Sequence, residues 1–209
     1  MVCKALKSGH FHPYKAILTQ ELLIIDETRR LRYCRWFLNK IEENYYFSKY
    51  ILFSDECIFY NNGNVNRHNM HYWVTENPHW MLQAHSQVKW SVNVWAGILG
   101  DHIIGPYFID GKVNGNFYRN FLRNELVTLL DEVPLESRVN MWFQQDGHPA
   151  HTAKETRLLL NEKFGRHWIG LHGPQEWPTR SPDLTPLDFF GGVILNNRYM
   201  QRDLLALKI

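Results

Sequence analysis

Three aspartates occur where strands end or a helix is expected to begin, and together they could bind metal ions. Asp55 lies in the strand-like stretch KYILFSDECIFY, Asp146 closes VNMWFQQD, and Asp188 closes SPDLTPLD. Mg²⁺ prefers such carboxylate oxygens and keeps room beside them for water and phosphate oxygens. Two ions held in this way can activate an attacking oxygen and stabilise a leaving oxygen in phosphodiester displacement. The three acids therefore predict a metal site for chemistry at phosphate.

Asp55 would interrupt an apolar row if residues 49–60 form a strand, because side chains alternate between the two faces. The other residues on its face would be Ile51, Phe53, Cys57 and Phe59. A carboxylate buried in such a row needs a cation or hydrogen-bond donors, and a bound metal would serve. The alternative is a frayed strand end with Asp55 in water. Glu56 would point to the opposite face and is the weaker candidate ligand.

Asp146, which stands just before Gly-His-Pro, has two interpretations. Ligands of α/β sheets collect beyond the carboxyl ends of strands, which favours a role in binding. Asp-Gly is also an ordinary turn signal that needs no function. His148 and His151 have the H-x-x-H spacing of some metal sites, but no further ligands are evident, so zinc is not favoured.

The stretch WPTRSPDLTPLDFF offers two acids, Asp183 and Asp188, as the third ligand. Thr185 and Pro186 are typical of the N-cap and first position of a helix, and an acid in the third position suits a helix start. The prolines restrict the backbone and would hold Asp188 at a fixed place. Asp183 could instead cap local amides or serve as the ligand itself, and spacing alone does not decide between them.

The elements that would position these acids form one α/β domain on a mixed sheet. The predicted strands are residues 49–60, the two arms of a hairpin over 91–110 that turns at Gly100-Asp101, 139–146 and 167–173. The predicted helices are 18–43, about 116–131, and one that starts at a capping box of Thr152 and Glu155 and runs to Phe164. The apolar face of the first helix would consist of Leu22, Ile25, Leu31, Cys34, Phe37, Leu38 and Ile41.

Composition limits the class of protein without choosing it. A chain of 209 residues with 44% hydrophobic residues is long enough for one sizeable core, and a net charge of +2 leans slightly towards polyanionic partners. The three cysteines are scattered, which predicts neither a disulfide framework nor a thiolate zinc site. No apolar run approaches the ~20 residues that cross a bilayer. We expect a soluble, intracellular protein without membrane contact.

Five stretches, in this order, resemble insect mariner-like transposases, which belong to the superfamily with an Asp, Asp, Asp/Glu triad. The stretches are FSDE (53–56), NRHNMHYW (66–73), VNVWAGILGDHIIGPYFIDG (92–111), FQQDGHPAHTA (143–153) and EWPTRSPDLTPLDFF (176–190). In that family the first Asp follows Phe-Ser, the second precedes Gly or Asn before Pro-x-His, and the third closes S-P-D-L-x-P-x-D. The resemblance therefore implies that Asp55, Asp146 and Asp188 are the catalytic residues and metal ligands, with Asp188 chosen over Asp183.

The resemblance also implies an architecture, namely an α/β ribonuclease H-like fold with a mixed five-stranded sheet flanked by helices. Residues 46–209 would be the catalytic domain, carrying a clamp-like loop at 61–90. Residues 1–45 would be a basic linker and helix, the remnant of the end of a DNA-binding region. The residues implied to contact DNA or a second subunit are Arg67, Trp73, Trp80, His151 and Arg180.

The activity implied is cleavage of DNA at transposon ends and strand transfer, with two Mg²⁺ or Mn²⁺ ions. The expected partner is DNA, the expected location is the nucleus, and the full-length protein would be a homodimer. Two departures favour an alternative, a catalytically inactive or domesticated remnant that binds DNA or a protein partner. The paired helix-turn-helix modules of the family are not found, and Gly191 and Gly192 replace a bulky pair shortly before a C-terminal truncation. A free-standing ribonuclease H-like nuclease is a third possibility.

Overall fold

A mixed six-stranded sheet forms the centre of the part of the chain that the computed structural model describes, residues 22–60 and 91–187. The strands are β1 (Ile51–Tyr60), β2 (Ser91–Leu99), β3 (His102–Ile109), β4 (Trp142–Gln144), β5 (Trp168–Gly170) and β6 (Gln175–Glu176). Their order across the sheet is β3-β2-β1-β4-β5-β6. Strands β1, β2 and β3 pair antiparallel, whereas β1, β4, β5 and β6 pair parallel.

The strand count differs from the five that the sequence predicts, because β6 adds an edge strand beside β5. It pairs through only Ile169 with Gln175 and Gly170 with Glu176, which is too short for an alternating pattern to be visible in the sequence. The predicted hairpin at Gly100-Asp101 is confirmed, and Gly100 has the positive φ of 57° that a tight turn demands.

Helices cover both faces of the sheet. They are α1 (Ile24–Glu43), α2 (Gly115–Asn120), α3 (Leu126–Leu129), α4 (Leu135–Val139), α5 (Pro149–Thr152) and α6 (Lys154–Phe164). A π-helical segment, Phe121–Glu125, joins α2 to α3, so the predicted helix at about 116–131 is present but is not regular throughout. Short 3₁₀ turns lie at Phe47–Tyr50 and Pro182–Leu184. None of the helices described is long and apolar enough to cross a membrane.

The predicted capping box at Thr152 is wrong. Thr152 ends α5, and its hydroxyl donates to the carbonyl of Pro149, while α6 begins at Lys154 with Ala153 as its N-cap. A helical turn has already started at Pro149, where the ring of His148 accepts a hydrogen bond from the amide of Ala150. Proline at the first position favours this earlier start, so Thr152 lies inside a turn rather than before one.

The predicted apolar face of α1 is confirmed only in part, since Cys34 and Phe37 pack against the buried side chains of the sheet. Leu22, Ile25, Leu31 and Leu38 are exposed, and the helix instead packs an aromatic face against the sheet. On that face the ring of Tyr33 lies 5.1 Å from Trp177, and the ring of Trp36 lies 5.4 Å from Trp142. The described part of the predicted N-terminal segment 1–45 therefore packs on the sheet of the predicted catalytic domain. Residues 1–21 lie outside the described residues, and the boundary at residue 45 stays a prediction.

The core consists of two layers separated by the sheet. Ile51 and Phe53 of β1 pack towards α1, and Leu52 packs on the other side against the layer that contains Trp95, Phe143 and α6. This alternation confirms that β1 sends successive side chains to opposite faces. It places Asp55 on the α1 side of the sheet and Glu56 on the side of α2 and α6.

Candidate active site

Parallel pairing of β1 with β4 brings Asp55 and Asp146 to the same edge. The last paired residues are Phe53 and Gln144, and each acid stands two residues further along its own chain. Ser54 strengthens this junction, since its hydroxyl donates to the carbonyl of Gln144 over 2.7 Å and its amide donates to the Gln144 side chain over 3.2 Å. The sheet therefore fixes the spacing between the two acids at the carboxyl end of β4.

Asp55 does not lie at a frayed strand end, which was one interpretation of its position. β1 continues to Tyr60, and Asp55 pairs with Ala96 of β2 inside the antiparallel ladder. Only the pairing with β4 has ended, so the strand backbone stays rigid beside an open edge. The Oδ1 atom of Asp55 accepts a hydrogen bond of 2.8 Å from the amide of Glu56.

Two clefts meet at these acids. A cleft of about 460 Å³ on the α1 side is bordered by Asp55, Asp146, His148, Trp177 and Arg180, among others. A second cleft, of about 430 Å³, shares Asp55, Asp146 and His148 and adds Glu56, Cys57 and Lys112. A group bound by the two aspartates would therefore be reachable from both clefts.

Cys57 borders the second cleft but is not suited to bind metal. Burial, together with the nearby charges of Asp55 and Glu56, raises the pKa of its thiol to about 12. The thiol therefore stays protonated at neutral pH, and only the thiolate is a good metal ligand.

Asp146 is ionised and held by hydrogen bonds. Its Oδ1 atom lies 2.6 Å from Nδ1 of His151 and accepts a 2.9 Å hydrogen bond from the amide of His148. Burial alone would raise the pKa of the Asp146 carboxyl, but the hydrogen bond and charge of His151 and the His148 amide lower it below its usual value. The carboxylate is thus ready to bind a cation at neutral pH.

His151 lies beneath the acids, with a side chain only 2% exposed. Its Nε2 atom faces Oε1 of Glu56 at 3.3 Å as an ion pair, without a well-aligned hydrogen bond among the described residues. Burial lowers the pKa of His151, but Asp146 and Glu56 outweigh it and raise the pKa to about 9. This buried position does not favour the direct contact with DNA or a second subunit that was expected of His151, and that contact stays a prediction.

The ligand atoms of Glu56, Asp146 and His151 lie within 4.8 Å of one another, so they could in principle hold an ion. A protonated imidazole donates from both nitrogens and has no lone pair for a metal. The elevated pKa of His151 therefore favours an ion-paired network at this cluster. His148 does not complete an H-x-x-H zinc site, because its ring accepts from the Ala150 amide.

Asp183, the alternative to Asp188 as third acid, forms an ion pair with Arg30 of α1. Arg30 donates to both of its carboxylate oxygens, with a distance of 2.8 Å to Oδ1, and also donates to Ser181 over 2.7 Å. The hydrogen bond from Arg30 lowers the pKa of Asp183. Asp183 borders neither of the two clefts. These contacts weigh against Asp183 as a metal ligand. Asp188 lies outside the described residues, as do Arg67, Trp73 and Trp80, so their roles stay predictions.

Arg180 borders the first cleft and is tied to α1 through Asp26. The guanidinium pairs with the buried Asp26 carboxylate, to which the hydroxyl of Thr179 also donates over 3.3 Å. Arg180 has a φ of 56°, which is unusual for a residue other than glycine and is held by these contacts. Its side chain is 38% exposed and borders the cleft, so Arg180 could be reached by DNA. The contact itself stays a prediction.

Sequence reasoning missed three residues that shape this site: Asp26, Arg30 and Lys112. Asp26 and Arg30 lie seven and three residues before Tyr33, which places them on the same face of α1 as the aromatic residues. That spacing is the signal that could have shown which face of α1 packs. No comparable signal in the sequence indicates that Lys112 borders the second cleft.

Comparison with known proteins agrees with this geometry. No family model matches the chain. A stretch of 111 residues, 53% of the chain, is 32% identical to the transposase of transposable element Tc3 of Caenorhabditis elegans and covers 31% of that protein. An equally long stretch is 30% identical to the Tcb2 transposase of Caenorhabditis briggsae and covers 37% of it. The matches thus span about a third of the length of these relatives.

Solved structures of the Mos1 transposase have a similar fold. The Mos1 paired-end complex with the left transposon end superposes with a TM-score of 0.68 at 20% identity, over 98% of this chain and 60% of that one. The catalytic domain of Mos1 mariner transposase superposes with a TM-score of 0.59 at 20% identity, over 86% of this chain and 74% of that one. The resemblance found in the sequence is therefore confirmed: the chain is homologous to the Tc3 and Tcb2 transposases and has the ribonuclease H-like fold of the Mos1 catalytic domain.

Proposed function

We propose that this chain is the catalytic domain of a transposase that cleaves DNA strands at transposon ends and joins them to target DNA with the help of divalent metal ions. The observation that carries the proposal is the placement of Asp55 and Asp146 at one edge of the sheet, between two open clefts. Homology to two transposases supports it.

The residues at this edge fit Mg²⁺ or Mn²⁺. Asp55 and Asp146 provide hard oxygen donors, Asp146 is ionised at neutral pH, and the Cys57 thiol is too weakly acidic to compete. Asp188, carried over from the resemblance, would complete the set. Bound in pairs, such ions activate an attacking oxygen and stabilise the leaving oxygen of a phosphodiester.

The chain's own residues would bind and orient the DNA around these acids. Lys112 at the second cleft and Arg180 at the first are cations placed where phosphate oxygens of a nucleic-acid backbone would approach. Trp177 forms an apolar wall of the first cleft. The two clefts could receive the attacking and the departing segments of a strand on opposite sides of the acids.

The partners follow from the same proposal. Several structural neighbours are complexes of Mos1 with transposon ends, one of them with Mn, and we extend DNA binding and divalent metal to this chain. Assembly as a homodimer would place Arg67, Trp73 and Trp80 at an interface or on DNA. Because the DNA of a eukaryotic cell lies mainly in the nucleus, a protein that cleaves and joins that DNA would act there.

Removal of metal is the first test. Nicking of a short DNA duplex by the purified chain should occur with Mg²⁺ or Mn²⁺, stop with EDTA, and return when Mn²⁺ is added in excess. The assay measures nicked product on a denaturing gel, with circular dichroism to show that the chain is folded. Nicking that persists in EDTA would contradict the proposal. A folded chain that cuts with neither ion would favour the inactive remnant instead.

A further inference from the structure

The two oxygens of the Asp146 carboxylate have different surroundings. Oδ1 accepts the 2.9 Å hydrogen bond from the amide of His148 and lies 2.6 Å from Nδ1 of His151. Within residues 22–60 and 91–187, no hydrogen bond to Oδ2 is present. Oδ1 is thus committed to the protein, and Oδ2 is the oxygen left for a ligand in the clefts.

The ring of His151 is itself fixed by its neighbours. Its centroid lies 4.1 Å from the ring of Tyr118, and its backbone carbonyl accepts a 3.1 Å hydrogen bond from the side chain of Gln145. The hydroxyl of Tyr118 donates to the same Gln145 over 2.8 Å. With a side chain only 2% exposed, His151 has little freedom to turn its Nδ1 atom away from Asp146.

Glu56 connects this arrangement to the other catalytic acid. Its carboxylate faces Nε2 of His151 at 3.3 Å, and its amide donates to Oδ1 of Asp55 over 2.8 Å. The contacts therefore run from Asp55 through Glu56 and His151 to Asp146 behind the cleft surface. Partners that hydrogen-bond to metal ligands orient those ligands and affect affinity for the ion.

We infer that His151 is a positioning residue that fixes the orientation of the Asp146 carboxylate. Oδ1 stays hydrogen-bonded to the protein, and Oδ2 alone is available to bind the metal ion. Glu56 balances the charge of His151. This inference rests on the proposed function. A carboxylate without this partner could rotate and offer either oxygen or both. A short hydrogen bond to an ionised group selects one orientation. His151 thus acts on the metal through Asp146 and does not bind the ion itself.

Two amide substitutions separate the roles of the two ring nitrogens. In His151→Asn the amide nitrogen takes the place of Nδ1 and can still donate to Asp146. In His151→Gln the longer side chain places its amide near Nε2, where it reaches Glu56 and leaves Oδ1 of Asp146 without that donor. Both variants put one polar amide into the same buried space, so each serves as the folding control for the other.

The measurement is the affinity for Mn²⁺ by isothermal titration calorimetry, on the full chain without DNA. His151→Asn should bind Mn²⁺ within about threefold of the wild type, and His151→Gln should bind about 10- to 100-fold more weakly, the range for lost partners of metal ligands.

Three outcomes would overturn the inference. Equal Mn²⁺ affinity of His151→Gln and wild type would show that His151 does not position Asp146. Equal and large losses in both amide variants would make His151 a metal ligand in its own right. Absence of Mn²⁺ binding by the wild type, matched by Asp146→Asn, would overturn the proposed function as well, and that result is distinct from the other two.

Discussion

Asparagine in place of Asp55 or Asp146 should abolish metal-dependent cleavage of DNA, lowering its rate at least about a thousandfold. Asparagine keeps the size of the side chain but removes the negative charge that holds a divalent ion. The Asp146 side chain is half exposed, so its loss should leave the chain folded. Rates of duplex nicking in Mn²⁺, with thermal melts of each variant, provide the measurement.

Asp131→Asn is a matched control for this experiment. Asp131 is an exposed acid whose described ion pair is with Arg138 at 3.6 Å, and it borders neither cleft. Its substitution removes the same charge and should change the nicking rate less than twofold, because Asp131 lies outside both clefts. The fold should also be kept, because surface ion pairs contribute little to stability. If Asp55→Asn or Asp146→Asn cut DNA within tenfold of the wild type, these acids would not be the catalytic pair.

Asp188→Asn should lose cleavage as completely as Asp146→Asn, whereas Asp183→Asn should keep it within about threefold. Asp183 is bound by Arg30 and borders neither cleft, so we expect it to contribute to stability rather than to catalysis. Its side chain is 51% exposed, and loss of such a pair should cost at most about 1 kcal/mol. Parallel nicking assays on the two variants test this assignment. The reverse pattern would make Asp183 the third acid.

The same variant has an expected dependence on pH. Because Arg30 lowers the pKa of Asp183 in the folded state, the pair stabilises the fold above the unfolded pKa and loses that effect as pH falls through the lowered folded value. The free energy of unfolding at pH 7 should therefore be higher for the wild type than for Asp183→Asn. This difference should shrink towards pH 3. Urea denaturation at both pH values measures it. A difference that grows in acid would contradict the role of Arg30.

The placement of Asp55 and Asp146 at one edge of the sheet could be predicted because its determinants are local. Alternation within 49–60 places Asp55 and Glu56 on opposite faces, and the end of a strand before Gly-His-Pro places Asp146 at a carboxyl edge. Neither inference needs a distant contact. The hairpin at Gly100-Asp101 was predictable for the same reason, since glycine suits the positive φ of its turn.

The features that sequence reasoning missed depend on partners far along the chain. The packed face of α1 is chosen by Trp142 and Trp177 and by pairing of Arg30 with Asp183, 153 residues away. The predicted face included Cys34 and Phe37, which do pack, but also four leucine and isoleucine residues that are exposed. The ion pair of His151 likewise depends on Glu56, which β1 brings from 95 residues earlier in the chain.

The central claim is that Asp55 and Asp146 hold the metal ion, and an anomalous difference map from crystals of the chain soaked in Mn²⁺ tests it most directly. The account predicts a peak at the carboxyl end of β4, bound by an oxygen of Asp55 and by Oδ2 of Asp146. A peak on His151 and Glu56, or no peak at this edge in millimolar Mn²⁺, would contradict it.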